Sequence, residues 1–329
     1  ANRNKRSIAI DMGHPEGAAL IRRLAEKADI VVENFKVGGL RKFGLDYESI
    51  RALNPRAVYC SITGFGQYGP YAERGGYDFV AQAMGGIMSI TGEVGGTPLK
   101  TGVAICDLFT GMYATTAMLA ALRHAERTGE GQYIDCALLD TQIAMLANQG
   151  YSWLVGGVVA KPMGNAHPTV VPYRTFAAAD GPLVVAVGND GQYRNLCLAL
   201  DRADLADDPL YATATTRVIN RVTLEAELQK TIARRHVHEL IDALSARGVP
   251  CGPINTIDQV FADPQIEARH IVHRFPRADG VETPTVAYPP KLSATPADYR
   301  RAPPRLNEHR SEILSDWLGL APGEEERLI

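Results

Sequence analysis

An isolated carboxylate, Asp107, stands where a Gly-punctuated apolar stretch meets a long helical pattern, in Thr-Gly-Val-Ala-Ile-Cys-Asp-Leu-Phe-Thr-Gly-Met-Tyr at 101–113. Burying a charge is costly, so a carboxylate on an apolar background needs a partner or a task. Two readings are open. Asp107 caps the helix that follows, accepting backbone N–H bonds from its first turn, or it acts as a nucleophile. The two are compatible, because the positive end of a helix dipole keeps a carboxylate ionised. The adjoining Cys106 has no histidine near it in sequence to activate it, and reads as a small core residue.

Other chemistries find little support. GxxxxGK[ST], HExxH and GxSxG do not occur, so P-loop, zincin and hydrolase-elbow chemistry are not indicated. The 8 histidines are scattered without metal-ligand spacing, and His236 and His238 read as surface helix residues. The 5 cysteines (Cys60, Cys106, Cys136, Cys197, Cys251) form no CxxC pair and read as buried thiols in a reducing compartment, which points to the cytoplasm. A net charge of −3 supplies no field to gather nucleic acid or an anionic membrane. No unbroken apolar run approaches the roughly 20 residues that span a bilayer. The basic start at 1–7 has no apolar signal core behind it.

The elements that must position Asp107 alternate strand and helix. Residues 7–11, 29–33, 57–62 and 133–137 read as strands, and 15–28 and 46–53 as helices. Further helices are expected over 77–90, 108–127 and 138–155. Leu108, Met112, Leu119 and Leu122 share one stripe of the second of these, which is also rich in Ala and Gly and so is expected to pack closely against a neighbour. The βαβ order argues for an α/β layer fold. After Pro162 the texture changes. Residues 169–178 and 182–187 flank Ala-Asp-Gly, a hairpin signal, and helices follow near 192–200, 224–234 and 238–247. From Phe261 the chain is Pro-rich, with short extended pieces and a last helix near 311–318. The expected domains are 1–160 (large, α/β), 161–260 (smaller, α+β) and 261–329, a segment returning to the large domain.

Several segments together carry a resemblance. They are Asn-Arg-Asn-Lys-Arg-Ser at 2–7, Glu-Asn-Phe-Lys at 33–36, Leu-Asn-Pro-Arg at 53–56, Gly-Phe-Gly-Gln-Tyr-Gly-Pro at 64–70 and Gly-Tyr-Asp-Phe-Val-Ala-Gln-Ala at 76–83. Asp-Leu-Phe-Thr-Gly at 107–111, Arg-Thr-Gly-Glu-Gly-Gln at 127–132, Gly-Asn-Ala-His-Pro at 164–168 and Val-Pro-Cys-Gly-Pro-Ile-Asn at 249–255 complete the set. In this order and spacing, over essentially the whole chain, the sequence resembles the family III CoA-transferases. Within that family it looks closest to the succinyl-CoA–dependent enzymes acting on small dicarboxylic acids.

The resemblance implies a Rossmann-like large domain, a smaller α+β domain and an interlocked homodimer. It implies no metal or redox cofactor; the CoA thioester is a substrate, and neither nucleic acid nor membrane is an expected partner. It further implies a segment before Ala1 carrying the first strand and helix of the large domain, so an incomplete chain is expected. Asp107 falls on the family's catalytic aspartate, which attacks the donor thioester and carries the acyl group and then CoA. Tyr77 and Asp78 match the Tyr–acidic pair beside it. Gly164 resembles the Gly-rich loop that covers the active site, and His167 either holds a distal substrate carboxylate or ends a turn before Pro168. For CoA, Ile10, Asn34, Phe35, Lys42 and Phe43 match lining positions. Gly13 and Gly75 stand where a relative has lysines, and Arg74 adjoins the second. Two rivals accompany this reading. An α-methylacyl-CoA racemase would need a His at 77, and Tyr77 is a poor base. A truncated CoA-binding remnant would bind without turnover.

Overall fold

The computed structural model describes residues 2–276 and 280–320. It divides into two compact units: Ala1–Ile90, Pro98–Ala160 and His270–Ile329 form one, and Thr91–Thr97 with Lys161–Arg269 the other. Residues 261–269 therefore belong with the second unit, not with the C-terminal segment expected from the sequence, and 91–97 join it from within the first.

The first unit is built on a parallel sheet, β1 (Ile30–Glu33), β2 (Val58–Thr63) and β3 (Tyr133–Ala137), in the order β1-β2-β3. Alternation along β2 sends its side chains to opposite faces. Tyr59 packs with Ile50, Leu45 and Ala25 under helices α1 (Pro15–Ala25) and α2 (Tyr47–Leu53), its hydroxyl donating to the Leu45 carbonyl at 2.6 Å. Pro15 opens α1 at its first position, where a missing N–H costs nothing. On the other face Val58 packs with Ala121 and Ala125, and Cys60 with Ala114 and Cys136. A sheet covered on both sides accounts for the continuous apolar reading of its strands.

Between β2 and β3 lie α3 (Asp78–Met84), α4 (Ile87–Ile90) and α5 (Ile105–Thr128); α6 (Leu138–Ala144) and α7 (Ala147–Gly156) follow β3. The single helix expected over 77–90 is broken at Gly85 and Gly86, and the one over 138–155 at Met145–Leu146. Helix α5 packs closely through its small residues, with most of the expected apolar stripe left outside. Its buried face is Cys106, Thr110, Ala114, Ala121 and Ala125, while Leu108, Met112 and Leu119 are 58%, 63% and 60% exposed. Small side chains bring a helix axis close to a sheet, so the alanine stripe wins the inward face. With 24 residues, α5 is long and apolar enough to cross a membrane by length and composition, although no single uninterrupted apolar run marks it.

The second unit carries the antiparallel sheet β4 (Tyr173–Ala177), β5 (Pro182–Ala186) and β6 (Cys251–Pro253) in the order β4-β5-β6. The first two form the expected hairpin, closed by the Ala178 N–H donating to the Gly181 carbonyl at 2.8 Å. Helices α8 (Asp190–Ala199), α9 (Ala203–Asp207), α10 (Ala214–Ile219), α11 (Arg221–Ile232) and α12 (Val237–Ser245) follow, then α13 (Ile257–Phe261) and α14 (Pro264–Ala268). Leu183, Val185, Leu196, Leu224, Leu228, Ile232, Leu240 and Leu244 make one continuous core.

The chain then re-enters the first unit as the hairpin β7 (Val272–Pro276) and β8 (Glu282–Val286) and ends its described part with α15 (Arg310–Leu318). This segment explains why residues 7–11 are not a strand. Their polar groups are taken by it: the His309 N–H donates to the Ser7 carbonyl, the Ala9 N–H to the Asn307 side chain, and Arg310 to the Ala9 carbonyl. Arg6 pairs with Glu312 and Asp316 alongside. Residues 277–279 and 321–329 of the expected returning segment lie outside the described residues.

Candidate active site

The loop after β2 brings the Tyr77–Asp78 pair to Asp107. Gly64 and Gly76 touch backbone to backbone: a Cβ on Gly76 would stand 2.6 Å from the Gly64 Cα, and one on Gly64 2.5 Å from the Gly76 Cα. Only glycine allows that approach. The loop is further tied down where the Leu139 N–H donates to the Gly64 carbonyl and the Gln67 N–H to Asp135 of β3. Tyr77 then precedes α3, with its carbonyl accepting the Ala81 N–H. Its ring is 80% exposed, so ordinary helix packing does not explain it.

Asp107 is not the helix cap. Helix α5 begins at Ile105 with Ala104 before it and no side-chain cap of its own, which puts Asp107 at its third position. The cap comes from another helix. Asp78 Oδ1 accepts the Cys106 N–H at 2.8 Å and the Asp107 N–H at 3.4 Å. These donors would otherwise be unsatisfied at a helix start. The two carboxylates therefore sit side by side at one helix N-terminus. Asp107 is exposed overall, yet neighbouring atoms dry part of its carboxyl, and this burial pushes its pKa up; the charge on Asp78 pushes the same way. A carboxylate so raised is, in its ionised form, a stronger nucleophile than a free aspartate.

Cys106 is fully buried, and its thiol donates to Gln142 Oε1. Burial, with Asp78 and Asp107 behind it, pushes the thiol up to about 12, so it stays protonated. Cys60, Cys136 and Cys197 are likewise buried free thiols, and Cys251 is half-buried. Among the described residues no group of three or more His, Cys, Asp or Glu could hold a metal.

The residues matched to CoA are spread over the carboxyl side of the sheet and the segments next to it. Asn34 and Phe35 directly follow β1, at the strand end where open parallel sheets bind ligands. Asn34 donates its amide to the Ile62 carbonyl, and the Phe35 N–H donates to Glu33. The Lys42 ammonium lies 4.7 Å from the Phe43 ring centroid, in the short 3-10 turn Arg41–Phe43, and Arg22 fastens the Phe43 carbonyl at 2.7 Å. Arg74 lies over the Tyr71 and Phe65 rings at 4.5 and 5.4 Å. Ile10 is half-buried against Gly17, while the Gly13 N–H donates to Asp11.

Gly164 and His167 belong to the second unit. Gly164 has a φ of +60°, and its N–H donates to the Gly92 carbonyl at 2.9 Å. To serve an oxyanion that N–H would have to release this bond. His167 Nδ1 accepts the Thr169 N–H at 3.2 Å and its ring lies 5.2 Å from Tyr173, which is the turn-ending arrangement; its Nε2 is left for another partner. Sequence reasoning missed Gln82, Gln142 and Thr101, which link to Asp78 and Cys106. The available signal was the spacing of Gln82, four residues after Asp78 on one helix face.

A parallel α/β unit with a carboxylate pair at a helix start defines a class, and the comparisons name it. The sequence matches the family model for CoA-transferase family III over residues 1–310, and the chain belongs to that family. It is 50% identical over 96% of its length to a succinate–glutarate CoA-transferase of Agrobacterium fabrum, covering 79% of that protein. It is 41% identical over 96% of its length to the human succinyl-CoA:glutarate CoA-transferase, covering 72% of it. The crystal structure of a CAIB/BAIF family protein from Brucella suis superposes with a TM-score of 0.84 at 47% identity, covering 96% of this chain and 82% of that one. The protein is a CoA-transferase.

Proposed function

We propose that this CoA-transferase moves CoA from succinyl-CoA to a small dicarboxylic acid, with Asp107 as covalent carrier. The relatives' named reactions support the substrate class. The observation that carries the mechanism is Asp107 itself: an exposed carboxylate at the third position of α5, backed by Asp78 and raised in basicity.

In the proposed sequence an Asp107 oxygen attacks the thioester carbonyl. The C–S bond breaks, CoA leaves as thiolate, and a succinyl–aspartyl anhydride remains. The thiolate attacks the aspartyl carbonyl and expels succinate, leaving CoA on Asp107. The acceptor carboxylate attacks the same carbonyl and frees the thiolate again. Attack of that thiolate on the acceptor's carbonyl releases the new thioester and restores Asp107. Each tetrahedral step needs N–H donors for its oxyanion, worth roughly 3 kcal/mol apiece.

Tyr77 joins Asp78 beside the reacting carboxylate in this reading, and Asn34, Phe35, Lys42, Phe43, Arg74 and Ile10 line the CoA path. We further propose a cytoplasmic homodimer with no metal or redox cofactor. The exposed apolar side chains of α5 and α7, among them Met112, Leu119, Trp153 and Leu154, favour a covering partner.

The test is Asp107→Ala with substrate trapping. The variant should lose turnover by about 10⁴-fold or more, as removal of a covalent nucleophile does. Hydroxylamine during turnover should modify Asp107 of the unaltered enzyme. Retained exchange in the variant, or an unmodified Asp107 under turnover, overturns the covalent route.

A further inference from the structure

Gln82 is a fully buried amide with every bond directed at the candidate nucleophile's support. It lies on α3, one turn after Asp78, and is 0% exposed. Its Nε2 donates to Asp78 Oδ2 at 2.7 Å. Its Oε1 accepts the Thr101 N–H at 2.9 Å, and the Thr101 hydroxyl oxygen lies 3.3 Å away. The amide cannot be reversed. Oε1 would then face the Asp78 oxygen and Nε2 the Thr101 N–H, two acceptors together and two donors together.

One side chain thus performs two tasks. It fixes the free oxygen of Asp78, so that the other oxygen stays on the Cys106 and Asp107 N–H groups. It also fastens the backbone of Thr101, the segment from which the chain enters α5. Thr101 is in turn braced by its hydroxyl donating to the Val103 carbonyl, two residues before α5 begins. A polar group this buried has to be matched, and a matched network holds one geometry.

We infer that Gln82 is a positioning residue for CoA transfer, holding Asp78 and the Thr101 segment so that Asp107 is presented to the thioester in a single orientation. The inference rests on the reading of Asp107 as nucleophile.

The conservative replacement Gln82→Glu separates positioning from mere packing. When protonated, the new carboxyl has the shape of the amide, donates its O–H to Asp78 and accepts from Thr101. When ionised, it sets a second negative charge against Asp78. Two carboxylates at this distance share one proton and lose it only at raised pH. The charged and titratable groups around this position are Asp78 on the same helix, Asp107 and the Cys106 thiol from α5, and Lys100, whose ammonium donates to the Thr101 carbonyl. Helix α6 contributes the uncharged Gln142.

The experiment is a pH profile of kcat and KM for succinyl-CoA with the full-length enzyme and the variants Gln82→Glu and Gln82→Met. Gln82→Glu should keep kcat within a few-fold of the parent at low pH. It should then acquire a descending limb as the shared proton leaves, with KM little changed. Gln82→Met should lose about 10²-fold in kcat at all pH values, the scale of an ångström-sized misplacement. A parent-like profile and kcat in Gln82→Glu would overturn the inference. So would an equal loss at every pH, which marks packing alone. These outcomes stay distinct from failure of the Asp107 reading, which is decided by hydroxylamine trapping on the unaltered enzyme.

Discussion

The two units bury different things. In the second, the core is made of large aliphatic side chains, and its buried charges are matched. Arg217, 1% exposed, donates to the Val171 and Tyr211 carbonyls and to Asp190, and lies over the Tyr193 ring. The nearly buried Glu225 pairs with Arg174. In the first unit the longest helix buries alanines and leaves its large apolar side chains outside. Its best-placed carboxylates, Asp78 and Asp107, lie close enough for the charge of one to raise the pKa of the other. The second unit is assembled for stability on its own, whereas the first gives up matched contacts to present a reactive group and an apolar surface. Such local departures from consistency are where function is expected.

The sharpest way to break that comparison is to hollow out the second unit's core. Leu228→Ala at the centre of the second unit, where the side chain is fully buried, should cost about 2–5 kcal/mol of unfolding free energy. Urea unfolding of the purified protein measures it. A loss below about 1 kcal/mol would mean that this core is loosely packed and that the contrast is false.

The next effect is smaller and local. Gly76→Ala forces a Cβ to 2.6 Å from the Gly64 Cα, so the loop carrying Tyr77 and Asp78 must shift. Overpacking of this kind costs about 1–3 kcal/mol, and kcat should fall more than stability does, because Asp78 caps the helix that carries Asp107. Parent-like kinetics in Gly76→Ala would show that the close approach does not set the site.

How much of this was legible in the sequence follows the same divide. The strand at 29–33 was readable from its continuous Ile-Val-Val run, as in a parallel sheet covered on both faces, and those at 57–62 and 133–137 as short strands in the alternation with helices. The 178–181 turn was readable from its Gly. Residues 7–11 were not, because their bonding partners lie some three hundred residues away in the C-terminal segment. The close packing of α5 was legible in its Ala and Gly content; that the alanine face, and not the stripe of larger side chains, turns inward depends on the sheet it approaches. Asp107 stood out as a carboxylate in an apolar setting, and Asp78 through the family resemblance. That Asp78 caps the Asp107 helix, and that Gln82 holds Asp78, depends on which loops meet.

The exposed stripe of α5 sharpens the comparison from its outer side. Replacing Met112 and Leu119 together by Gln should change unfolding of the isolated subunit by less than about 0.5 kcal/mol, since both are mostly exposed. The same pair should shift the proposed dimer toward monomer in analytical ultracentrifugation. An unchanged mass would remove this helix from any interface.

The smallest effect concerns the carboxylate pair, and its sign is opposite to the others. The Asp107 pKa is raised in the folded protein, by partial burial and then by Asp78. Between the unfolded value and that raised value the folded state holds the extra proton, so this group's contribution to stability falls as pH rises through the window and stays unfavourable above it. Asp107→Asn removes the ionisation. At neutral pH the variant should therefore be slightly more stable than the parent, by under about 1 kcal/mol once solvent screening is allowed for. The gain should vanish at pH values below the ordinary aspartate range, where both forms are neutral. Thermal unfolding at neutral and acid pH reads the difference directly. A variant less stable at neutral pH would mean that the helix dipole's attraction for Asp107 outweighs its partial burial and the repulsion from Asp78. The carboxylate would then be a stabilising first-turn residue, and the contrast between a matched second unit and a strained site in the first would fail at its central residue.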